Sequence, residues 1–168
     1  MLTKLYDTKW LKLYDRDNWF FVTRSDEELE DKQTPDCVVI IAKNEKEELL
    51  LIHEFRVPLN KWLWAFPAGT LNPGEDVVDT AIRECFEETG TTLVIEDVLL
   101  NSYTSPGLTN EKIALVYGKV TGELSNKHIE SHEKIVPHFA SIPAQLNILK
   151  EDMNMTTHLA TYLMNKFL

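Results

Sequence analysis

The sequence predicts a layered α/β or α+β domain. Apolar, β-branched runs of strand length occur at Cys37 to Ala42 and Leu49 to Phe55. An amphipathic helix pattern over Asp76 to Thr89 lies between strand-like segments, and two further helical patterns, Pro143 to Lys150 and Met155 to Phe167, close the chain.

Taken in order, Leu2 to Val22 reads as short strand-like pieces around Trp10, Leu11, Leu13 and Tyr14, then Trp19 to Val22. Arg24 to Gln33 is mostly charged and ends before Pro35, so a loop is expected there. Polar Lys43 to Glu48 separates the two apolar runs, which is a hairpin signal. Trp62, Trp64 and Phe66 alternate along a strand that stops at Pro67; they read as a packed face, with an aromatic shelf for a base as the other reading, and Trp10 and Trp19 suit either role. In the central helix, Val77, Val78, Ala81, Ile82, Cys85 and Phe86 form one apolar stripe. Asn72-Pro73-Gly74 supplies the turn before it, and Gly90 sits at the C-terminal cap position. Leu93 to Tyr103 and Ile113 to Val120 read as strands around the loop Thr104 to Lys112, and Ile135 to Phe139 as a last strand.

A chain of 168 residues with 43% hydrophobic residues can bury a core and does not fit a disordered protein. The net charge of -10 disfavours nucleic acid as a partner. It also repels a small anionic substrate unless cations or local arginines invert the field. Cys37 and Cys85 read as reduced, buried thiols. No apolar leader and no membrane-length apolar run is visible, so a soluble, cytoplasmic protein is expected.

Glu84, Glu87 and Glu88 stand at i, i+3 and i+4 and share an arc of about 100° on the helix, away from the apolar stripe. Carboxylates this close repel one another unless something positive arrives. Clustered hard oxygen ligands suit Mg²⁺ or Mn²⁺, which also bind phosphate oxygens. Arg83, four residues before Glu87, is placed to pair with it. Taken alone, the run REXXEE is more often a solvated acidic face.

The longer segment changes that balance. Gly69 to Thr91, GTLNPGEDVVDTAIRECFEETGT, resembles the Nudix box, G-x5-E-x7-R-E-U-x-E-E-x-G-U, where U is bulky and apolar. Gly69, Glu75, Arg83, Glu84, Glu87, Glu88 and Gly90 all fall in register; Cys85 and Thr91 depart from the U pattern. The chain is further similar to the ADP-ribose pyrophosphatase kind of Nudix hydrolase. It carries Glu54-Phe55-Arg56 at a strand end, Pro67-Ala68-Gly69 leading into the box, and Ser105-Pro106-Gly107 with Glu111 after it. Pro106 lies about fifteen residues past the box, and Glu130 and Glu133 precede Ile135.

The resemblance implies a mixed β-sheet sandwiched between helices over residues 37–168, with residues 1–36 as an N-terminal strand region of the kind that pairs two subunits into a homodimer. It implies hydrolysis of a nucleoside diphosphate sugar, first ADP-ribose to AMP and ribose 5-phosphate. GDP-mannose or another nucleotide sugar, or a domain that senses a nucleotide without cutting it, remain as alternatives. It implies Mg²⁺ or Mn²⁺ on Glu84, Glu87, Glu88 and the Ala68 carbonyl, and substrate contacts from Arg56, Pro106, Gly107 and Glu111. Glu111, Glu130 and Glu133 are candidates for the base that activates water, with Glu133 best placed. Gly69, Glu75, Arg83 and Gly90 complete the box: Gly69 as a backbone turn, Glu75 as a brace of loop on helix. His128 and His132 read as polar loop residues.

Overall fold

The computed structural model describes residues 1–24, 29, 32–131 and 133–167. Of the loop expected over Arg24 to Gln33, residues 25–28, 30 and 31 lie outside the described residues, and so does His132.

The two apolar runs form β4 (Cys37–Lys43) and β5 (Leu49–Arg56). Leu49, Leu50, Leu51 and Ile52 are all buried, which is why β5 lacks the alternation of a half-exposed strand. Their expected hairpin needs correction. β4 and β5 pair only at Lys43 and Leu49, and then part. β4 instead runs parallel to β9 (Lys112–Thr121), while β5 pairs antiparallel with β10 (Ile135–Ala140). Strands apolar on both faces each take an interior position with neighbours on either side. The fork between them is filled by consecutive β6 (Lys61–Ala65) on β5 and β7 (Ala68–Thr70) on β4. β8 (Thr92–Tyr103) closes the far edge beside β9.

Helices cover both faces. α1 (Val77–Thr89) lays Ala81 and Cys85 on Val38, Ile40, Leu50, Ala114 and Val116. α2 (Ile142–Ile148) and α3 (Met155–Phe167) cover Ile41, Leu49, Leu51 and Phe66 on the other face. The Asp76 carboxylate caps α1 by accepting from Asp79 N–H, and Gly90, at φ 75°, ends it with a bond to the Phe86 carbonyl. The expected apolar stripe is only half buried. Val78, Ile82 and Phe86 are each more than 40% exposed, while Glu88 on the supposed polar side is 3% exposed. The helix is turned so that its glutamates point between the forked strands rather than into solvent.

β1 (Leu2–Asp7), β2 (Lys12–Arg16) and β3 (Trp19–Thr23) form a separate antiparallel sheet. It meets the loop between β8 and β9, where Val22 N–H donates to the Leu108 carbonyl and Trp19 Nε1 to the Gly107 carbonyl. Trp62 and Trp64 lie on the β6 face opposite Leu63 and Ala65 and pack on His53, while Phe66 joins the α2–α3 core. The packed-face reading therefore describes Phe66 and the half-buried Trp64, whereas Trp62 is 40% exposed. Among the described residues no helix is long and apolar enough to cross a membrane.

α3 is pinned beside the fork by one buried bond, from Phe66 N–H to Thr157 Oγ1 at 2.9 Å. Thr157→Val keeps the shape but orphans that amide, at a cost of about 1–3 kcal/mol. Thermal unfolding is expected to show a fall of roughly 2–4 °C for each kcal/mol lost. An unchanged Tm would mean that α3 is held by apolar contacts alone.

Candidate functional site

The turn after β7 brings Glu75 over α1, and Arg83 binds the two together. Arg83 Nε and Nη2 fork onto the Glu75 carboxylate at 2.8 and 2.9 Å. Nη2 also reaches the Thr70 carbonyl, and Nη1 donates to both Glu84 and Glu87 at 2.8 and 2.9 Å. Glu75 further accepts from Asn72 N–H. The Arg83 guanidinium, first among these, holds the Glu75 carboxyl down at about 2, and the three carboxylates in turn hold Arg83 more firmly protonated. Through Arg83, Glu75 ties the turn before α1 to the helix.

Glu88 points inward, and its Oε2 accepts from Ala68 N–H at 2.9 Å. Burial pushes its carboxyl well above the ordinary range, and the negative neighbours Glu84, Glu133 and Glu54 push it further. Glu84 is raised too, by burial first and then by Glu87 and Glu133 against the pull of Arg83. Glu54, 6% exposed, is raised by burial and by Glu133. Arg56 opposes that shift, its Nε 2.8 Å from Glu54 Oε1. This oxygen is buried and accepts no hydrogen bond, so the contact is an ion pair off the N–H direction.

Four carboxylates from three places in the chain, Glu54 on β5, Glu84 and Glu88 on α1, and Glu133 before β10, therefore feel one another. Glu133 belongs to this group, whereas Glu130 lies exposed on the preceding turn. Glu54 is the residue to which the sequence reading gave no role, naming it only within the Glu54-Phe55-Arg56 motif. Its signal was an acid at an inward position that follows the apolar run Leu49 to Ile52, in register with buried Leu63.

Gly69 is needed for a reason other than the turn expected of it. A Cβ there would lie 1.8 Å from Glu84 Cδ and 1.9 Å from Oε1, so the missing side chain is the space that the Glu84 carboxylate occupies. The two departures from the box pattern also find a use. Cys85 Sγ lies 3.4 Å from Thr91 Oγ1, and Thr89 Oγ1 lies 2.7 Å from the same hydroxyl, all three buried. Burial leaves the Cys85 thiol with a raised pKa, and the same holds for Cys37, pushed up to about 12.

Among the described residues no three His, Cys, Asp or Glu side chains stand in ligating geometry. Arg83 instead draws Glu84 and Glu87 to itself. The donor set nonetheless fits a hard divalent cation: all-oxygen, mutually repelling, and opened by the cradle at Gly69. Beside it is a cavity of 510 Å³ lined by Arg24, Arg56, Ala68, Gly69, Thr104 and Glu111. Glu111 is held there by Arg24 Nε at 2.9 Å and Thr104 Oγ1 at 2.9 Å. A second cavity, 340 Å³, opens between Glu54, Arg56 and Glu133. Pro106 lines neither of these. It faces a third cavity, 320 Å³, with Trp19, Tyr103 and Asn110, and the Gly107 carbonyl is taken by Trp19. Both buried polar atoms of the Asn110 amide lack partners.

A NUDIX domain model matches residues 32–151. The chain is 30% identical over 102 residues to an ADP-ribose pyrophosphatase of Bacillus subtilis, covering 61% of this chain and 55% of the relative. It is 36% identical over 92 residues to a methanol dehydrogenase activator of Bacillus methanolicus, covering 55% and 50%. The chain thus spans about half the length of the curated relatives it matches. A crystal structure described as an ADP compounds hydrolase superposes with TM-score 0.67 at 17% identity, over 100% of this chain and 91% of that one, which is a likeness of fold.

Two outcomes are expected from this geometry. Gly69→Ala should keep its far-UV spectrum, because the clash is with the end of a flexible side chain, yet bind Mn²⁺ roughly 10- to 100-fold more weakly by EPR titration. Equal affinity would show that Glu84 does not depend on the cradle. The second outcome concerns pH. Glu54, Glu84 and Glu88 keep their protons more tightly folded than unfolded, so metal-free stability falls as pH rises above the ordinary carboxylate range. Glu75 acts oppositely, adding stability at neutral pH that is lost as pH falls towards 2. Glu88→Gln should therefore be the more stable protein at pH 8 without metal, by roughly 1–3 kcal/mol, with the gap closing near pH 4. A gap independent of pH would rule out ionisation as its source.

Proposed function

Because the chain belongs to the NUDIX domain family, we propose that it hydrolyses the diphosphate bond of a nucleoside diphosphate sugar, with ADP-ribose, cut to AMP and ribose 5-phosphate, as first candidate. The observation that carries this is the carboxylate group of buried Glu54 and Glu88 with half-buried Glu84 and Glu133, set beside a cavity that holds Arg24 and Arg56. Negative ligands and positive clamps placed side by side suit a substrate whose phosphates are shared between a cation and guanidinium groups.

In this reading Glu84, Glu87, Glu88 and the Ala68 carbonyl hold Mg²⁺ or Mn²⁺. When bound there, the cation neutralises diphosphate charge and polarises the phosphorus. Arg83 steadies Glu84 and Glu87, and the Ala68 amide steadies Glu88. Arg56 and Arg24 bind phosphate oxygens, and Glu111 accepts from sugar hydroxyls in the same cavity. Glu133 takes the proton of the attacking water. It is preferred to Glu130 and Glu111 because it alone of the three is coupled to Glu54, Glu84 and Glu88. The base end is assigned to the cavity of Trp19, Tyr103, Pro106 and Asn110, where a flat ring meets aromatic walls and an amide offers both donor and acceptor. The exposed apolar residues of the N-terminal sheet, Tyr6, Trp10 and Phe20 among them, support a homodimer formed through residues 1–36. We place the enzyme in the cytoplasm.

A panel of ADP-ribose, GDP-mannose and nucleoside triphosphates with Mg²⁺, read by phosphate release after phosphatase coupling, tests the reading. ADP-ribose should turn over fastest, and Glu88→Gln should lose at least about a hundredfold in kcat. Turnover of GDP-mannose with ADP-ribose inert would replace the substrate. Binding without cleavage of any of them would make the chain a sensor.

A further inference from the structure

The segment between β9 and β10, residues 122–134, carries Glu133, and it is fastened before it gets there. Ser125 N–H donates to the Thr89 carbonyl at 2.8 Å, at the C-terminal end of α1. The approach is so close that a Cβ on Gly90 would lie 2.6 Å from Ser125 Cβ. Three residues on, the His128 ring lies on the Phe86 ring, with centroids 4.5 Å apart and planes at 31°. The next residue, Ile129, turns inward and packs with Ile52, Leu63, Ala65 and Ile135. From this pair the chain makes a turn, closed by Glu133 N–H on the Glu130 carbonyl, and enters β10 at Ile135 opposite Glu54.

Phe86 has no role in the carboxylate site, and on α1 it is one of the apolar residues that the sheet leaves outside. His128 covers it. An exposed histidine resting on an exposed phenylalanine is the contact through which the loop is registered on the helix that bears Glu84, Glu87 and Glu88. We infer that His128 is a positioning residue: its ring on Phe86, with Ile129 as the inner half of the same pin, sets the loop so that Glu133 faces the α1 carboxylates. His128 touches neither substrate nor reacting atoms and acts only through the loop. This rests on the reading of Glu133 as the base.

The test uses the full chain in three variants, His128→Ala, His128→Phe and Glu133→Gln, with ADP-ribose and Mg²⁺ for kinetics and amide hydrogen exchange on the same proteins. His128→Ala should speed exchange in residues 122–134 while leaving α1 as slow as in the unaltered protein. Its kcat should fall about 10- to 100-fold, the size expected when a reacting group shifts by about an ångström, with KM within about twofold. His128→Phe keeps a flat ring without the imidazole chemistry, and should restore both slow exchange and kcat. Unchanged exchange in His128→Ala, or a His128→Phe variant with restored exchange but lost kcat, overturns the inference; the latter would give the imidazole a role of its own. If Glu133→Gln keeps full kcat, the reading of Glu133 fails, and the exchange data still decide whether His128 pins the loop.

Discussion

The hydrogen bond from the Ala68 amide to Glu88 joins the first residue of β7 to the last turn of α1. It holds a carboxylate in a place where burial works against its charge. Around it the chain supplies little positive charge: Arg83 serves Glu75, Glu84 and Glu87, and Arg56 serves Glu54. Glu88 takes its hydrogen bond from a backbone amide instead. Burial and the neighbouring carboxylates therefore favour its protonated form. Gly69 is left bare to admit Glu84, and the fork between β4 and β5 gives the carboxylates a dry wall on one side and a cavity on the other.

Arg83 is the counterweight. Without a cation its guanidinium is the local positive charge, shared among three acids through four hydrogen bonds. That sharing keeps Glu84 and Glu87 ordered but also engaged. Nη1 serves Glu84 and Glu87, while Nε and Nη2 make the fork on Glu75. The two parts of the guanidinium thus do different work: Nε and Nη2 fix the turn before the helix, and Nη1 holds the carboxylates on it. The same division explains the opposite pKa directions of Glu75 and Glu84, which touch the same side chain. Glu75 accepts from three donors, two on Arg83 and one the Asn72 amide, whereas Glu84 accepts from one and sits against the Gly69 backbone beside Glu87 and Glu133.

Much of this was legible in the sequence where the information is local. The helix, its Asp76 and Gly90 ends, the strands and the acidic register follow from spacing and caps within a few residues. What failed was long-range. The polar hairpin segment between β4 and β5 is real, but two strands that are apolar on both faces do not stay paired when each has a better neighbour elsewhere. Periodicity located the apolar side of α1 but not which part of it meets the sheet, so Glu88 was placed outside and Phe86 inside. Glu54 and Gly69 show the same limit: each owes its role to an atom 15 or more residues away in sequence, Glu133 and Glu84 respectively. Nor does local spacing show that the loop presents Pro106 to the N-terminal sheet, in a cavity apart from the one that holds Arg56 and Glu111.

The departures at Cys85 and Thr91 sharpen the distinction between positions that chemistry fixes and positions that packing fixes. The matched glutamates, Arg83 and Gly69 are constrained by charge or by a volume that one carboxylate fills, and no neighbour can substitute for either. Cys85 and Thr91 stand where bulky apolar residues are expected, yet each is the other's partner, with Thr89 completing a buried chain of one thiol and two hydroxyls. A polar residue at position 91 alone would strand a hydroxyl in the core; facing a thiol and a second hydroxyl, it is satisfied. The two substitutions therefore count as one change that conserves the packing of the last helical turn. Because that turn carries Glu88, a solution that keeps its geometry leaves the buried carboxylate where the Ala68 amide can reach it.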